Sequence, residues 1–86
     1  MLLMTLSQSE REKLRDLYLQ HERHPYHEKR IYYPSWPIFN RQDRLKHSDY
    51  KELSEEDFIS YNPWKRKTFL AKILIKGKKY IDRHQS

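Results

Sequence analysis

The sequence predicts a small, mainly α-helical domain of three helices, with an extended segment rich in proline and aromatic residues between the first and second helices. Three observations support this prediction. Helix-start signals occur at Ser7, Ser54 and Asn62, apolar residues near both ends of the chain recur at helical intervals, and residues 25–50 hold three of the four prolines. At 86 residues the chain is long enough for one domain only, spanning 1–86.

The first predicted helix runs from about Gln8 to His24. Ser7 and Glu10 stand at the spacing of a capping box before it, and Pro25 ends it. Four residues recur at helical intervals and share one face, which predicts an amphipathic helix: Leu14, Leu17, Tyr18 and His21.

Residues 25–50 are predicted to be an extended aromatic segment, with a short helical turn within 41–51 as an open alternative. Pro34 and Pro37 lack backbone donors and favour extended conformations at the residue before each of them. The aromatic side chains of this segment have two interpretations: they anchor the core, or they form an exposed patch that binds a partner protein. The candidate patch consists of Tyr32, Tyr33, Trp36, Ile38 and Phe39.

The second predicted helix begins at Ser54. Ser54 is a favourable N-cap, the acidic residues after it suit the positive end of a helix, and Leu53 and Phe58 stand at hydrophobic-staple spacing. Asn62 followed by Pro63 predicts the start of a third helix that continues to about His84.

The positive charge is concentrated at the end of the sequence. Residues 1–62 contain ten Lys or Arg against eleven Asp or Glu, and residues 63–86 contain eight against one. If 63–86 is a basic C-terminal helix, one narrow stripe carries Lys65, Lys72, Lys76, Lys79 and Arg83. A separate apolar face carries Leu70, Ile73, Leu74, Gly77, Tyr80 and Ile81.

A concentrated basic surface favours nucleic acid as the partner, and duplex DNA in particular, because each neutralised phosphate releases counterions. The candidate phosphate contacts are Lys65, Arg66, Lys72, Lys76, Lys78, Lys79 and Arg83. A larger protein, bound through the aromatic patch, is the alternative partner. An anionic membrane surface and a merely solvated helix face are further interpretations of the same charge.

Two alternatives concern the last helix. Gly77 is the only glycine, and 73–81 could form two short strands around a basic turn, which would give a winged helix with a C-terminal hairpin. The apolar face of a single helix exceeds what the other helices can cover, which predicts a homodimer through that face.

Other patterns limit the classes of function. The chain has no cysteine, so disulfides and thiolate metal sites are excluded and a cytoplasmic protein is expected. The apolar residues 1–6 are too few for a signal peptide, and no apolar run is long enough for a membrane span. The residue types of a His-Asn-His nuclease site are present at His24, His27, Asn40 and His47. The pair of strands with a turn glycine that holds such a site is not predicted around them, so a nuclease is not expected. The sequence therefore predicts a non-enzymatic protein without cofactor or metal.

Overall fold

The computed structural model describes residues 6–84, so residues 1–5 of the apolar N-terminal stretch lie outside the described residues, as do residues 85–86. Over the described residues the architecture is α+β, with three helices and one three-stranded antiparallel sheet. In chain order the elements are α1 (Gln8–Arg23), β1 (Lys29–Tyr32), α2 (Arg41–Glu55), β2 (Ile59–Lys65), β3 (Thr68–Ile73) and α3 (Ile75–His84). The prediction of a mainly helical fold is wrong.

Helix α1 is the element that the sequence predicted best. Ser7 is its N-cap, and its hydroxyl accepts a hydrogen bond from the Glu10 backbone N–H at 3.1 Å. The Glu10 carboxylate accepts one from the Ser7 backbone N–H at 3.0 Å, which completes the capping box. Leu14 and Leu17 are buried on the predicted face, so the amphipathic interpretation of α1 is confirmed.

Helix α2 occupies the last part, 41–50, of the segment that was predicted to be extended. It begins after Asn40, whose side chain accepts a hydrogen bond from the Asp43 backbone N–H at 2.7 Å. The predicted start at Ser54 is wrong, because residues 54–57 are where α2 ends. Asp57 there adopts a left-handed conformation, with φ of 63°, and turns the chain toward β2.

The predicted third helix from Pro63 is also wrong, since residues 59–73 form a β-hairpin. Burial alternates residue by residue from Thr68 to Ile73, and this period of two is that of a strand with one covered face. The two-residue turn is Arg66-Lys67, in which Lys67 takes a φ of 66° without being glycine. Only the last part of the predicted helix, α3, is helical.

The strand order in the sheet is β1-β3-β2, and both pairings are antiparallel. Strand β3 is therefore central, while β1 and β2 are the edges. The winged-helix alternative is contradicted as well, because its hairpin was placed around Gly77 and Gly77 is buried within α3. An added Cβ at Gly77 would meet the backbone oxygen of Phe58 and lie 2.9 Å from Ile73 Cγ1.

The core lies between the helices and one face of the sheet. Its largest fully buried side chains are those of Tyr33, Leu6, Leu14, Leu53 and Ile59. Three residues of the apolar surplus from which a homodimer was inferred are buried within one molecule, namely Phe69, Ile73 and Ile81, whereas Leu74 of the same set is 37% exposed. Within residues 6–84, no helix has both the length and the apolar character needed to cross a membrane.

One carboxyl group on each of the first two helices, Glu10 and Glu52, makes stability depend on pH. The Glu10 carboxyl raises the pKa of Glu52, through the hydrogen bond that protonated Glu52 donates and through like-charge repulsion. A raised pKa in the folded state means that the folded chain binds more protons than the unfolded chain. The stabilising contribution is therefore complete below the ordinary glutamate pKa and is lost as the pH rises through the raised pKa.

We expect Glu52→Gln to raise the melting temperature at pH 7 by about 2–4 °C, because it removes a repulsion of about 0.5 kcal/mol at an exposed site. At pH 4 the difference from the unsubstituted chain should shrink toward zero. Thermal unfolding at the two pH values measures both effects, with the exposed loop variant Glu28→Gln as the control. Equal melting temperatures at pH 7 would contradict the predicted repulsion.

Candidate functional site

The sheet covers the core with one face and leaves the other open. Residues paired across an antiparallel register share a face, and the buried strand residues all lie on the face toward α1 and α2: Ile31, Ile59, Phe69, Ala71 and Ile73. The residues of the opposite face are exposed or half-buried. We call this surface the open face, and it carries Arg30, Tyr32, Asn62, Trp64, Thr68, Leu70 and Lys72.

The charge of the sheet is entirely positive. The three strands and the hairpin turn contain no Asp or Glu, and they contain six cations: Lys29, Arg30, Lys65, Arg66, Lys67 and Lys72. Lys29 lies toward α1, with its Nζ 4.0 Å from a carboxylate oxygen of Asp16. The remaining cations lie on the open face or at the hairpin turn, where like charges without acidic neighbours on the strands create a positive potential.

Trp64 is an aromatic platform on this surface. The register shifts between Pro63 and Lys65, so Trp64 is an extra residue in a β-bulge, and 43% of its surface is exposed. The Arg30 guanidinium carbon lies 4.7 Å from the centre of the Trp64 ring, and Lys65 Nζ lies 4.4 Å from it. Both distances are those of cation–π contacts, so the ring and the two cations form one cluster.

A shallow groove extends from Trp64 across the sheet to the end of α1. We call it the Trp64 groove; its lining includes Gln20, His24, Tyr26, His27, Glu28, Lys29, Arg30 and Leu70. The rings of His24 and His27 are stacked at 5.7 Å, and Tyr26 is 91% exposed at the rim. The groove thus combines rings that can stack with cations, and Glu28 is its one acidic lining residue. Among the described residues, no group of three His, Asp or Glu could hold a metal ion.

The structure divides the predicted nucleic-acid contacts between two places. Lys65 and Arg66 lie at the hairpin turn and Lys72 lies on the open face, whereas α3 carries Lys76, Lys78, Lys79 and Arg83. The single stripe that was predicted to join 65, 72, 76, 79 and 83 is wrong, because these residues lie on three elements. Lys76 already has local partners: its Nζ donates a hydrogen bond to the backbone oxygen of Glu56 at 2.8 Å and lies 5.1 Å from the centre of the Phe58 ring.

The predicted partner-binding patch does not form one exposed surface. Tyr33 is completely buried, Trp36 and Phe39 pack against the core, and only Tyr32 and Ile38 are largely exposed. The core interpretation therefore holds for Tyr33, Trp36 and Phe39. Their rings lie 5.2–6.3 Å, centre to centre, from those of His47 and Phe69.

Two hydrogen bonds organise this aromatic cluster. The Tyr33 and Tyr61 hydroxyls are 2.7 Å apart, and His47 Nδ1 is 2.9 Å from the Tyr61 oxygen. Burial raises the pKa of Tyr33 to about 12 and also raises that of Tyr61, so both phenols remain neutral near pH 7. Burial, assisted by Lys51, lowers the pKa of His47. The cluster is uncharged and structural, and it supports the strands from the inner face.

Sequence reasoning assigned neither Arg30 nor Trp64 to a nucleic-acid site. The signal available in the sequence was the type of residue: both Ile59–Lys65 and Thr68–Ile73 contain the β-branched and aromatic residues typical of strands. A strand assignment there would have placed Trp64 at the surface near the basic turn.

No protein-family model, curated protein or solved structure gives a match to this chain.

Proposed function

We propose that this protein is a small non-enzymatic nucleic-acid-binding accessory or regulatory protein, and that the open face and the hairpin turn form its binding surface. The observation that carries the proposal is the composition of the sheet. Its strands and turn hold six cations and no acid, beside the exposed ring of Trp64. Phosphate recognition and base contact are both available on one continuous surface.

Electrostatics supplies the affinity in this proposal. Lys65 and Arg66 at the turn and Lys72 farther along β3 can each contact a phosphate, and each contact releases condensed counterions. Lys65 pairs with Thr68, and Thr68 is four residues from Lys72 along β3, or roughly 13 Å. Lys65 and Lys72 are therefore spaced along the surface in the way that successive phosphates of a nucleic-acid backbone require. No base sequence is required for this contribution, so broad specificity is expected.

The test is binding of a fluorescent oligonucleotide, measured by anisotropy at several salt concentrations. The triple variant Lys65→Ala, Arg66→Ala, Lys72→Ala should weaken binding about 100-fold near 0.1 M salt, because three phosphate contacts are removed. The slope of log affinity against log salt should fall by about 2–3 in the same variant.

The matched control removes three exposed or half-exposed cations from α3: Lys76→Ala, Lys78→Ala, Lys79→Ala. Net charge changes equally in the two triple variants, so a general charge effect would affect both alike. A larger loss from the α3 variant would contradict the sheet as the binding surface. Absence of binding by the unsubstituted protein at 50 mM salt would overturn the proposed function itself.

A further inference from the structure

The width of the open face bears on the kind of nucleic acid that it fits. The major groove of B-DNA admits a helix or a two-stranded ribbon, whereas the open face is three strands wide, or roughly 10 Å between its outer strand axes before side chains are counted. Trp64 lies on an edge strand of this broad surface, with Arg30 of the other edge strand against it across β3. A paired base keeps its faces inside the stack, so a ring on this surface can stack only on an unpaired base.

Trp64 is placed to stack in this way. As the extra residue of a bulge it is not opposed by a residue of β3, and nearly half of its surface is exposed. The cations now over its ring are Arg30 and Lys65, both on exposed side chains. Formation of an exposed cation–π contact has an equilibrium constant of about 2 to 5. Stacking of a base on an aromatic ring is stronger, and raises a binding constant by about 5- to 150-fold. A base can therefore displace one cation, which then reaches the adjacent phosphate.

We infer that the Trp64 groove binds unpaired bases of single-stranded nucleic acid, with Trp64 as the stacking platform and with Arg30 and Lys65 holding the flanking phosphates. This inference rests on the proposed function and specifies its ligand. His24, Tyr26 and His27 continue the groove with further rings, so a second base has a stacking surface beyond Trp64. Trp64 is the specificity-determining residue for single strands over duplex.

The experiment compares three probes of equal length: a mixed-sequence single strand, the corresponding duplex, and a single strand in which the bases are replaced by abasic sites. The abasic strand keeps the phosphates and lacks the stacking partners. We expect the unsubstituted protein to bind the single strand at least 10-fold more tightly than the abasic strand, and more tightly than the duplex at matched salt. Trp64→Ala should lose this 10-fold advantage, and Trp64→Phe should retain most of it.

Controls separate stacking from folding and from charge. Leu45→Ala removes an exposed apolar side chain on α2 outside the groove and should bind as the unsubstituted protein does. Circular dichroism checks that Trp64→Ala is folded, and quenching of tryptophan fluorescence by the single strand should be absent in Trp64→Phe, where only Trp36 remains.

The outcomes distinguish this inference from the function on which it rests. Equal, salt-dependent binding of all three probes, unaffected by Trp64→Ala, would overturn the stacking inference and leave nucleic-acid binding intact. Tighter binding of duplex than of single strand would overturn it too. Failure to bind any probe at 50 mM salt would overturn both proposals.

Discussion

Replacing the only glycine with alanine is expected to destabilise the protein by about 3 kcal/mol. In an isolated helix the change would be favourable by about 1 kcal/mol. Here the new Cβ would collide with the backbone oxygen of Phe58, and it would lie 2.9 Å from Ile73 Cγ1 and 3.1 Å from Leu14 Cδ1. The Phe58 oxygen accepts a hydrogen bond from the Leu74 backbone N–H at 2.9 Å, so it cannot move without disturbing the start of α3.

Urea and thermal unfolding of Gly77→Ala measure this effect, and a fall in melting temperature of more than about 10 °C is expected for a domain of this size. Lys79→Ala, on the exposed side of the same helix, is the control and should change stability by less than about 0.5 kcal/mol. If Gly77→Ala were as stable as the unsubstituted protein, the close approach of α3 to the end of α2 would be disproved.

Truncation of Tyr33 is expected to have the larger effect, because its side chain is completely buried at the centre of the aromatic cluster. Its ring contacts Phe39, His47 and Phe69, and its hydroxyl lies 2.7 Å from that of Tyr61. Tyr33→Ala should cost about 3–5 kcal/mol, which is comparable with the whole stability of a small domain. Circular dichroism and one-dimensional NMR should show a largely unfolded chain at 37 °C.

Two matched variants identify the cause of that loss. Tyr33→Phe keeps the ring and should cost only about 1 kcal/mol, because the Tyr61 hydroxyl keeps His47 Nδ1 as a partner at 2.9 Å. Tyr32→Ala removes the neighbouring tyrosine, which is 56% exposed, and should be nearly neutral for stability. A stable Tyr33→Ala variant would show that the cluster does not support the sheet.

The sequence predicted α1 to within one residue because its signals are local. Ser7 and Glu10 act on each other within one turn, and Leu14 and Leu17 identify the buried face. Helix α2 was missed because its apolar face is weak: Leu45 is 59% exposed, and the Asn40 cap lay in a segment dominated by prolines. A capping signal followed by a clear apolar face is thus readable, whereas a helix stabilised mainly by tertiary packing is not.

The hairpin was missed for a different reason. Its turn, Arg66-Lys67, contains neither Gly nor Asn, and Lys67 adopts the left-handed conformation without either residue. Asn62 and Pro63, which resemble a helix start, lie on edge strand β2 beside a bulge, where a missing backbone donor is tolerated. The residues around Asn62 and Pro63 are compatible with the start of a helix and with an edge strand. Pairing with β3 selects the strand.

Charge counting identified part of the candidate site and could not identify the rest. The excess after residue 62 predicted the cations of the hairpin, including Lys65, Arg66 and Lys72. Arg30 and Trp64 are 34 positions apart and meet only because β1 and β2 both pair with β3. No local pattern encodes that proximity, so the aromatic part of the site required the sheet topology.

The two edge strands of the sheet affect how readily molecules of this protein aggregate with one another. Strand β1 is only four residues long and begins with Lys29 and Arg30, and strand β2 carries Pro63 and the bulge at Trp64. Short length, positive charge, proline and bulges each prevent strands of different molecules from pairing and aggregating. The cations that we propose bind a polyanion therefore also keep neighbouring molecules apart, and we expect a bound polyanion, by neutralising them, to lower the solubility of the complex near charge balance.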